Sequence, residues 1–392
     1  MINYESKQNP QDFSRDTRLS PADIPTQHTF IRKLFLTFYS EQGYIVAPPS
    51  PLLPEEDTSV IFTGATITAL KGQLQEGIKS PGYCMVQKCL RVKRLEQMYD
   101  LSIYPDWTHY FTMCGILAAP ERREEVIDET YQLLTQLLGL APQNILIRAF
   151  SQDHDLFGPL QMRGITVQEN TEPMTYYRWT YGIPNICGRG ITFLLRHDGQ
   201  DNYRELGNII SVEDSDATVR AYEFGFGLES LLSKMHGHKK PMEVNMISAV
   251  VPYREGPQET FLDTLVATVV IYHHGVEPGR GKEKHVLKKL VKGLSYIRRK
   301  MEISIEQIRE QGNLFEKAEF GEASGSGDKL VADVREYEGR LTKYVDYAKN
   351  QVHAHRLRGQ MGQYLVDKLK REGENLGITP ADVEEVVVLV LQ

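Results

Sequence analysis

Arginine is the side chain whose planar fork can hold a carboxylate and a phosphate together. Arg91 is placed for such work. It closes the apolar run of VQKCLRVKRLEQMYD (86–100), and on a mostly buried strand a bare guanidinium would cost several kcal/mol without an anionic partner. The next run, WTHYFTMCG (107–115), offers Phe111, a ring able to stack on a flat base. In YRELGNIISVEDSD (203–216), Glu205 and Asn208 project from a strand-like stretch. In AYEFGFGLESLLSKM (221–235), Glu223, Gly225 and Gly227 lead into a helix, and glycines at such a junction let backbone N–H groups approach a phosphate. Trp179 opens WTYGIPNICGRG (179–190), whose glycines and buried-type Cys187 suggest a tight loop against a pocket. SVIFTGATITALKG (59–72) runs from a strand through small residues into an apolar helix. Each block alone also reads as ordinary structure: a salt-bridged arginine beside a core phenylalanine, a compact turn, a sharp bend at Gly-x-Gly.

These residues need a scaffold, and periodicity supplies one. Residues 27–44 carry Phe30, Leu34, Phe35 and Phe38 at helical spacing, and Tyr44–Ala47 then reads as a strand stopped by Pro48 and Pro49. Further strands are expected at 59–63, 84–91, 108–117, 145–150, 176–180, 191–196 and 206–212, with a helix at 121–140 and a turn and helix at 225–235. Strands mixed with flanking helices give an α+β pattern. After about Pro241 the period is almost wholly helical, and the run 284–301 buries one face while Lys288, Lys289, Lys292 and Arg299 lie on the other. An interruption is expected at 322–328 (EASGSGD), and a small capped unit at 373–392, with Thr379-Pro380 opening a helix. The expected organisation is a flexible leader at 1–25, a catalytic domain at 26–240 and a helical domain at 241–392.

The bulk numbers bound the function. The 392 residues are 41% apolar and 25% charged, as in a soluble globular protein of two or three domains. No run approaches the ~18 apolar residues of a membrane span, and the first 25 residues lack a secretory stretch, so a cytoplasmic protein without a membrane partner is expected. Cys84, Cys89, Cys114 and Cys187 have no zinc-ligand spacing, so reduced thiols and no zinc are expected. His273, His274, His353 and His355 suit no familiar metal site either and are left as surface or hydrogen-bonded residues. The net charge of −7 argues against a wholly basic nucleic-acid binder but leaves room for a local basic face.

In this order and at these separations, the blocks resemble the alanyl-tRNA synthetases, a class II aminoacyl-tRNA synthetase family. The resemblance covers about residues 25 to 310. It implies an antiparallel sheet flanked by helices, followed by an all-α domain that binds the tRNA acceptor stem. Residues 30–54 look like the class's first motif, which often contributes to a homodimer. By the same resemblance Arg91 is catalytic, bridging the amino-acid carboxylate and the α-phosphate of ATP. Phe111 and Met113 hold adenine, with Gly225 and Gly227 near the nucleotide. Glu205 touches ATP or Mg2+. Ile67, Trp179, Asn208 and Glu223 form the amino-acid pocket. Arg280, Lys282, Lys284, Lys288 and Lys289 meet tRNA phosphates.

The sequence also departs from the family. Ser230 stands where an arginine grips the γ-phosphate, and Arg189, Arg196 and Lys234 are candidate replacements. Glu223 is one methylene longer than the family's ammonium-binding aspartate, Gly64, Thr66 and Ile67 replace pieces of its pocket turn, and Arg280 stands near an asparagine that reads the acceptor stem. No segment resembles the editing domain. Three readings follow: adenylation with transfer to tRNA, adenylation with transfer to a carrier protein or small molecule, and a non-catalytic tRNA- or nucleotide-binding paralogue.

Overall fold

The computed structural model describes residues 18–54, 60–103, 106–358 and 362–392. Two compact units are present, one built from residues 18–91 and 106–249, the other from residues 92–103 and the described part of 250–392. Of the expected leader, residues 1–17 lie outside the described residues; from Leu19 the chain is packed, its N–H donating to His238 Nε2 at 3.1 Å.

The first unit runs α1 (Ile24–Glu41), β1 (Ile45–Val46), α2 (Thr66–Ala69), α3 (Lys71–Glu76), β2 (Gly82–Leu90), β3 (Tyr110–Ala118), α4 (Arg123–Gln132), β4 (Ile145–Ala149), α5 (His154–Met162), β5 (Thr166–Glu169), β6 (Arg178–Thr180), β7 (Ile186–Leu195), β8 (Arg204–Asp214), β9 (Val219–Gly227) and α6 (Leu228–Met235). The strands form one sheet in the order β1-β2-β3-β9-β8-β7-β4-β5, with β6 paired to β7. The long central pairs are antiparallel, as expected, and β1 pairs parallel with β2 and β4 with β5 at the two edges; with its flanking helices this is the expected α+β fold.

Strand side chains alternate between faces, so one sheet serves two purposes. On one face Cys114, Ile147, Phe193, Phe224 and Phe226 meet Phe35 of α1, Val126 of α4, Leu156 of α5 and Leu231 of α6 in the main core. On the other, Met85, Leu117, Ile210, Val212 and Ala221 are covered by Ile67, Leu70 and Leu74 from the α2–α3 region. α2 can lie that close because β3 has a glycine beneath it. A Cβ on Gly115 would sit 1.9 Å from Thr66 Oγ1, so any larger residue would push α2 off the sheet.

α6 is pinned to the sheet by one buried carboxylate. Glu229, 2% exposed, accepts from the Thr112 N–H at 2.8 Å and from Thr112 Oγ1 at 3.1 Å.

The second unit is helical: α7 (Pro257–His273), α8 (Lys282–Lys300), α9 (Ile305–Phe320), α10 (Ser326–Leu357), α11 (Gln363–Asn375) and α12 (Pro380–Leu391). Thr379 caps α12 by accepting from the Asp382 N–H at 3.1 Å.

Several expectations need correction. Residues 60–63 form no strand, and Ser59 lies outside the described residues; Thr63 donates its N–H to Leu52 and accepts from Leu90, isolated bonds that fix a loop instead of a ladder. The helix expected over 121–140 changes pitch to a π turn at Leu133–Leu137. The interruption at 322–328 is shorter than its composition suggests. Gly325, at φ 87°, turns the chain, and α10 begins at Ser326 because the Glu316 carboxylate accepts from the Ser324 and Ser326 backbone N–H groups. β5 and β9 go beyond the expected strands: β5 is a four-residue edge strand with little buried surface, and β9 runs on to Gly227, through residues expected in a turn and helix, so that α6 begins only at Leu228.

Glu229→Ala removes the acceptor of a buried backbone N–H. It is expected to cost about 1–3 kcal/mol and to lower the melting temperature by several degrees in a thermal unfolding scan; an unchanged melt would show that α6 is held by packing alone.

Candidate active site

The open part of the second sheet face is built by pairing register. Gln87 of β2 lies opposite Met113 of β3, and Met113 opposite Gly227 of β9; Gly115 faces Gly225, which faces Asn208 of β8, which faces Thr192 of β7; Leu117 faces Glu223, which faces Ile210. Directly opposed residues point the same way. Phe111, Met113, Asn208, Gly225 and Gly227 are therefore brought onto one face, and each is half-buried. A Cβ on Gly225 would come no nearer than 3.4 Å to its neighbours, and one on Gly227 no nearer than 3.5 Å. Neither glycine is needed for backbone reasons. Their lack of a side chain leaves a flat floor beside Phe111.

Arg91 stands just past the end of β2. It is exposed, a correction to the expectation of a mostly buried strand position. Its N–H donates to His109 at 2.8 Å, its Nε donates to the Gly64 carbonyl at 2.6 Å, and its guanidinium lies over the Phe111 ring, 4.9 Å from the centroid. The carbonyl of Gly64 is delivered by a relay of loop bonds: the Gln87 amide holds both backbone groups of Ser50, and the Thr63 N–H donates to Leu52. The guanidinium is thus braced at one edge by a carbonyl and on one face by a ring.

Glu223 lies deeper, 7% exposed. Burial pushes its carboxyl up to about 7; the Arg91 charge, the Ile67 backbone N–H and the Tyr181 hydroxyl oppose the shift. Ile67 and Trp179 pack in the same cluster, Ile67 buried and Trp179 half-buried on β6. Cys187, opposite Thr180 in the β6–β7 hairpin, is exposed and not a buried cysteine; it sits at the start of β7, where the ladder emerges from the core.

Glu205 and Asn208 are three apart, and a regular strand would send them to opposite faces. The β7–β8 ladder slips register at Phe193/Leu194, so that Phe193 faces Gly207 and Leu194 faces Glu205. Tyr176 ties the two together. Its hydroxyl donates to Glu205 Oε1 at 2.7 Å and interacts with Thr192, whose Oγ1 accepts from Asn208 Nδ2 at 2.8 Å. Tyr176 and Tyr181 carry no sequence signal beyond their place on either side of Trp179.

Among the described residues no three His, Cys, Asp or Glu side chains gather to hold a metal ion. A magnesium ion bound through nucleotide phosphates needs only one or two protein carboxylates, and the exposed Glu205 suits that arrangement.

Of the three cations expected as candidates to serve where the resemblance puts an arginine and this chain has Ser230, two are committed elsewhere. Arg189 donates to Asp155 of α5 at 2.8 and 2.9 Å and to Glu213 at 2.7 Å. Arg196 stacks on Tyr203 and donates to Asn144 at 3.2 Å. Lys234 alone adjoins Ser230.

In the second unit Arg280, Lys282, Lys288 and Lys289 are exposed and Lys284 is half-buried; Lys288 donates to the Gly279 carbonyl at 2.9 Å. Arg299 does not belong to this basic face, because it is bound to the buried Asp382 of α12. His273 stacks on Phe320 and shares a 2.9 Å bond with Glu316, His274 bonds the Val270 carbonyl, His353 is exposed and His355 is buried near Tyr364.

Residues 30–229, which contain the sheet and every site residue named on it, match the family described as tRNA synthetases class II (A). The match covers half of the sequence, and the chain belongs to that family. The particular relatives are alanine–tRNA ligases. That of Prochlorococcus marinus (strain MIT 9515) is 26% identical over 252 residues, 56% of this chain and 27% of the relative. That of Sinorhizobium medicae (strain WSM419) is 22% identical over 303 residues, 67% of this chain and 34% of the relative. The chain therefore spans about a quarter to a third of the length of these relatives. Among solved structures, the RNA binding domain of threonyl-tRNA synthetase from Cryptosporidium parvum Iowa II aligns with a TM-score of 0.38 at 10% identity, over 70% of this chain and 80% of that one. No described helix is long and apolar enough to cross a membrane.

The raised Glu223 carboxyl has a definite sign. The folded state keeps this proton up to about pH 7, whereas the unfolded chain releases it near 4.5, so stability falls as pH rises across that window and is level above it. Glu223→Gln is expected to abolish the fall and to gain on the order of 3 kcal/mol over the native chain at pH 8, with little difference at pH 4.5. Denaturant melts at both values check this; equal stabilities at pH 8 would contradict it.

Proposed function

We propose that this chain activates an amino acid with ATP, forming an aminoacyl-adenylate. A carboxylate oxygen attacks the α-phosphorus and pyrophosphate leaves, with no covalent protein intermediate. The observation that carries the reading is the Arg91 guanidinium, fixed by the Gly64 carbonyl, lying over Phe111 and electrostatically coupled to Glu223. Such a cation can neutralise both anions as charge grows between them, and its prior fixation means little reorganisation is needed during reaction. The adenine displaces or extends the guanidinium–ring stack on Phe111, with Met113, Gly225 and Gly227 as the floor. Glu205 contacts ATP or its magnesium. Magnesium would supply further charge neutralisation on the leaving pyrophosphate.

The substrate's ammonium meets Glu223, walled by Ile67, Trp179 and Asn208. An arriving cation favours the ionised acid, so amino-acid binding should release a proton near neutral pH and weaken below pH 7. The kinship to alanine–tRNA ligases favours alanine or another small amino acid as substrate and tRNA as acceptor. The exposed Arg280, Lys282, Lys288 and Lys289, with Lys284, give the helical unit a cationic edge for an acceptor stem. The same edge favours tRNA over a carrier protein as the acceptor.

ATP–pyrophosphate exchange with each amino acid tests the activity. One amino acid should support exchange, Arg91→Ala should abolish it, and Phe111→Ala should raise the KM for ATP roughly ten- to a hundredfold through loss of ~1–3 kcal/mol of stacking. Exchange surviving in Arg91→Ala would refute the assignment. For tRNA, Lys288→Gln with Lys289→Gln should flatten the slope of log affinity against log salt by about 1.5 to 2 in filter binding; an unaltered slope would remove these lysines from the interface.

A further inference from the structure

The family resemblance puts a phosphate-gripping arginine where this chain has Ser230, and a cation lies directly behind that serine. Lys234, one turn further along α6, is 3% exposed. Its Nζ lies 2.5 Å from Ser230 Oγ and 3.1 Å from the Ser230 carbonyl. The Ser230 hydroxyl donates to the Glu205 carbonyl at 3.3 Å, a long bond that a better acceptor would take over. Ser230 is also at the edge of the glycine floor. A Cβ on Gly227 would lie 3.5 Å from Ser230 Cβ and 3.6 Å from Phe111 Cδ2, which places the serine beside the ring.

The charges around Lys234 are Arg204, which repels its ammonium, and Asp106 and Glu205, which attract it; burial outweighs them and pushes the amine down to about 7. An empty site above that pH therefore holds a neutral amine. A neighbouring phosphate reverses the balance. Once protonated, the ammonium donates to Ser230 Oγ and to the Ser230 carbonyl, and the hydroxyl proton is free to turn to the phosphate.

We propose that Ser230 and Lys234 act as a proton-coupled grip on the terminal phosphates of a nucleoside triphosphate: Lys234 takes up a proton as the phosphate seats, and Ser230 presents that charge to the anion through its hydroxyl. Lys234 is a positioning residue, acting through Ser230. This rests on the reading of the Phe111 floor as the nucleotide site. It replaces a permanent charge by a titratable one, so nucleotide affinity becomes pH-dependent where an arginine would leave it flat.

The test is calorimetric titration of ATP, with and without magnesium, into the native protein at pH 8 in two buffers of different ionisation enthalpy, since ATP itself is then fully ionised. Close to one proton should be taken up per ATP bound, and affinity should fall about tenfold per pH unit above pH 7. Lys234→Met, nearly isosteric and apolar, should bind ATP roughly ten- to a hundredfold more weakly with no proton uptake; Lys234→Arg should bind without proton uptake and with affinity level between pH 7 and 9. ATP binding to the native protein with no proton uptake and no pH dependence would overturn the grip while leaving the nucleotide site intact. No ATP binding at all would overturn the nucleotide reading and the grip with it. The native measurement decides even if a variant fails to fold.

Discussion

A pairing register holds the candidate site together. Met113 opposite Gly227, Gly115 opposite Gly225 and Leu117 opposite Glu223 place large residues, bare backbone and a carboxylate in fixed rows across β3 and β9. A slip of one residue would turn all of them to the core face and bring Cys114, Phe224 and Phe226 out. The register is enforced from both sides. Below the sheet, the aromatic residues of β9 fill the main core against α1; above it, Thr66 lodges over Gly115, where no side chain could be accommodated.

Given that frame, the electrostatics divide along the same face. The exposed Arg91 guanidinium is held by a carbonyl and a ring, with no carboxylate bonded to it among the described residues, so its charge stays available to a ligand. Two other ionisable groups are buried and held close to neutrality: Glu223, pushed up to about 7, and Lys234, pushed down to about 7. An acid ready to lose a proton suits an incoming cation; an amine ready to gain one suits an incoming anion. Burial of this kind is costly to the fold and concentrates at functional sites. Glu223 and Lys234 thus add a titratable acid and a titratable amine to the charge of Arg91.

Much of this was legible in the sequence, and the exceptions have physical reasons. The strands that carry Phe111 and Asn208, and the one that ends just before Arg91, could be read because apolar alternation marks them, and the helices after residue 257 because their period is strong. The shared face of Glu205 and Asn208 could not be read, since it depends on a register slip made with another strand. Arg189 looked available because its partners Asp155 and Glu213 are distant in sequence. Arg299 looked like part of a basic face until Asp382 of α12 closed on it. The exposure of Arg91 and Cys187 turns on where a ladder begins or ends, which is the least definite feature of any strand pattern.

The most direct test of the site is a crystal structure of the chain with a non-hydrolysable aminoacyl-sulfamoyl adenosine. The adenine is expected on the Phe111 ring, the sulfamoyl group within hydrogen-bond distance of the Arg91 guanidinium, and the ammonium on the Glu223 carboxylate. An analogue bound away from this face, or seated on it with Arg91 still engaging only Gly64 and Phe111, would contradict it.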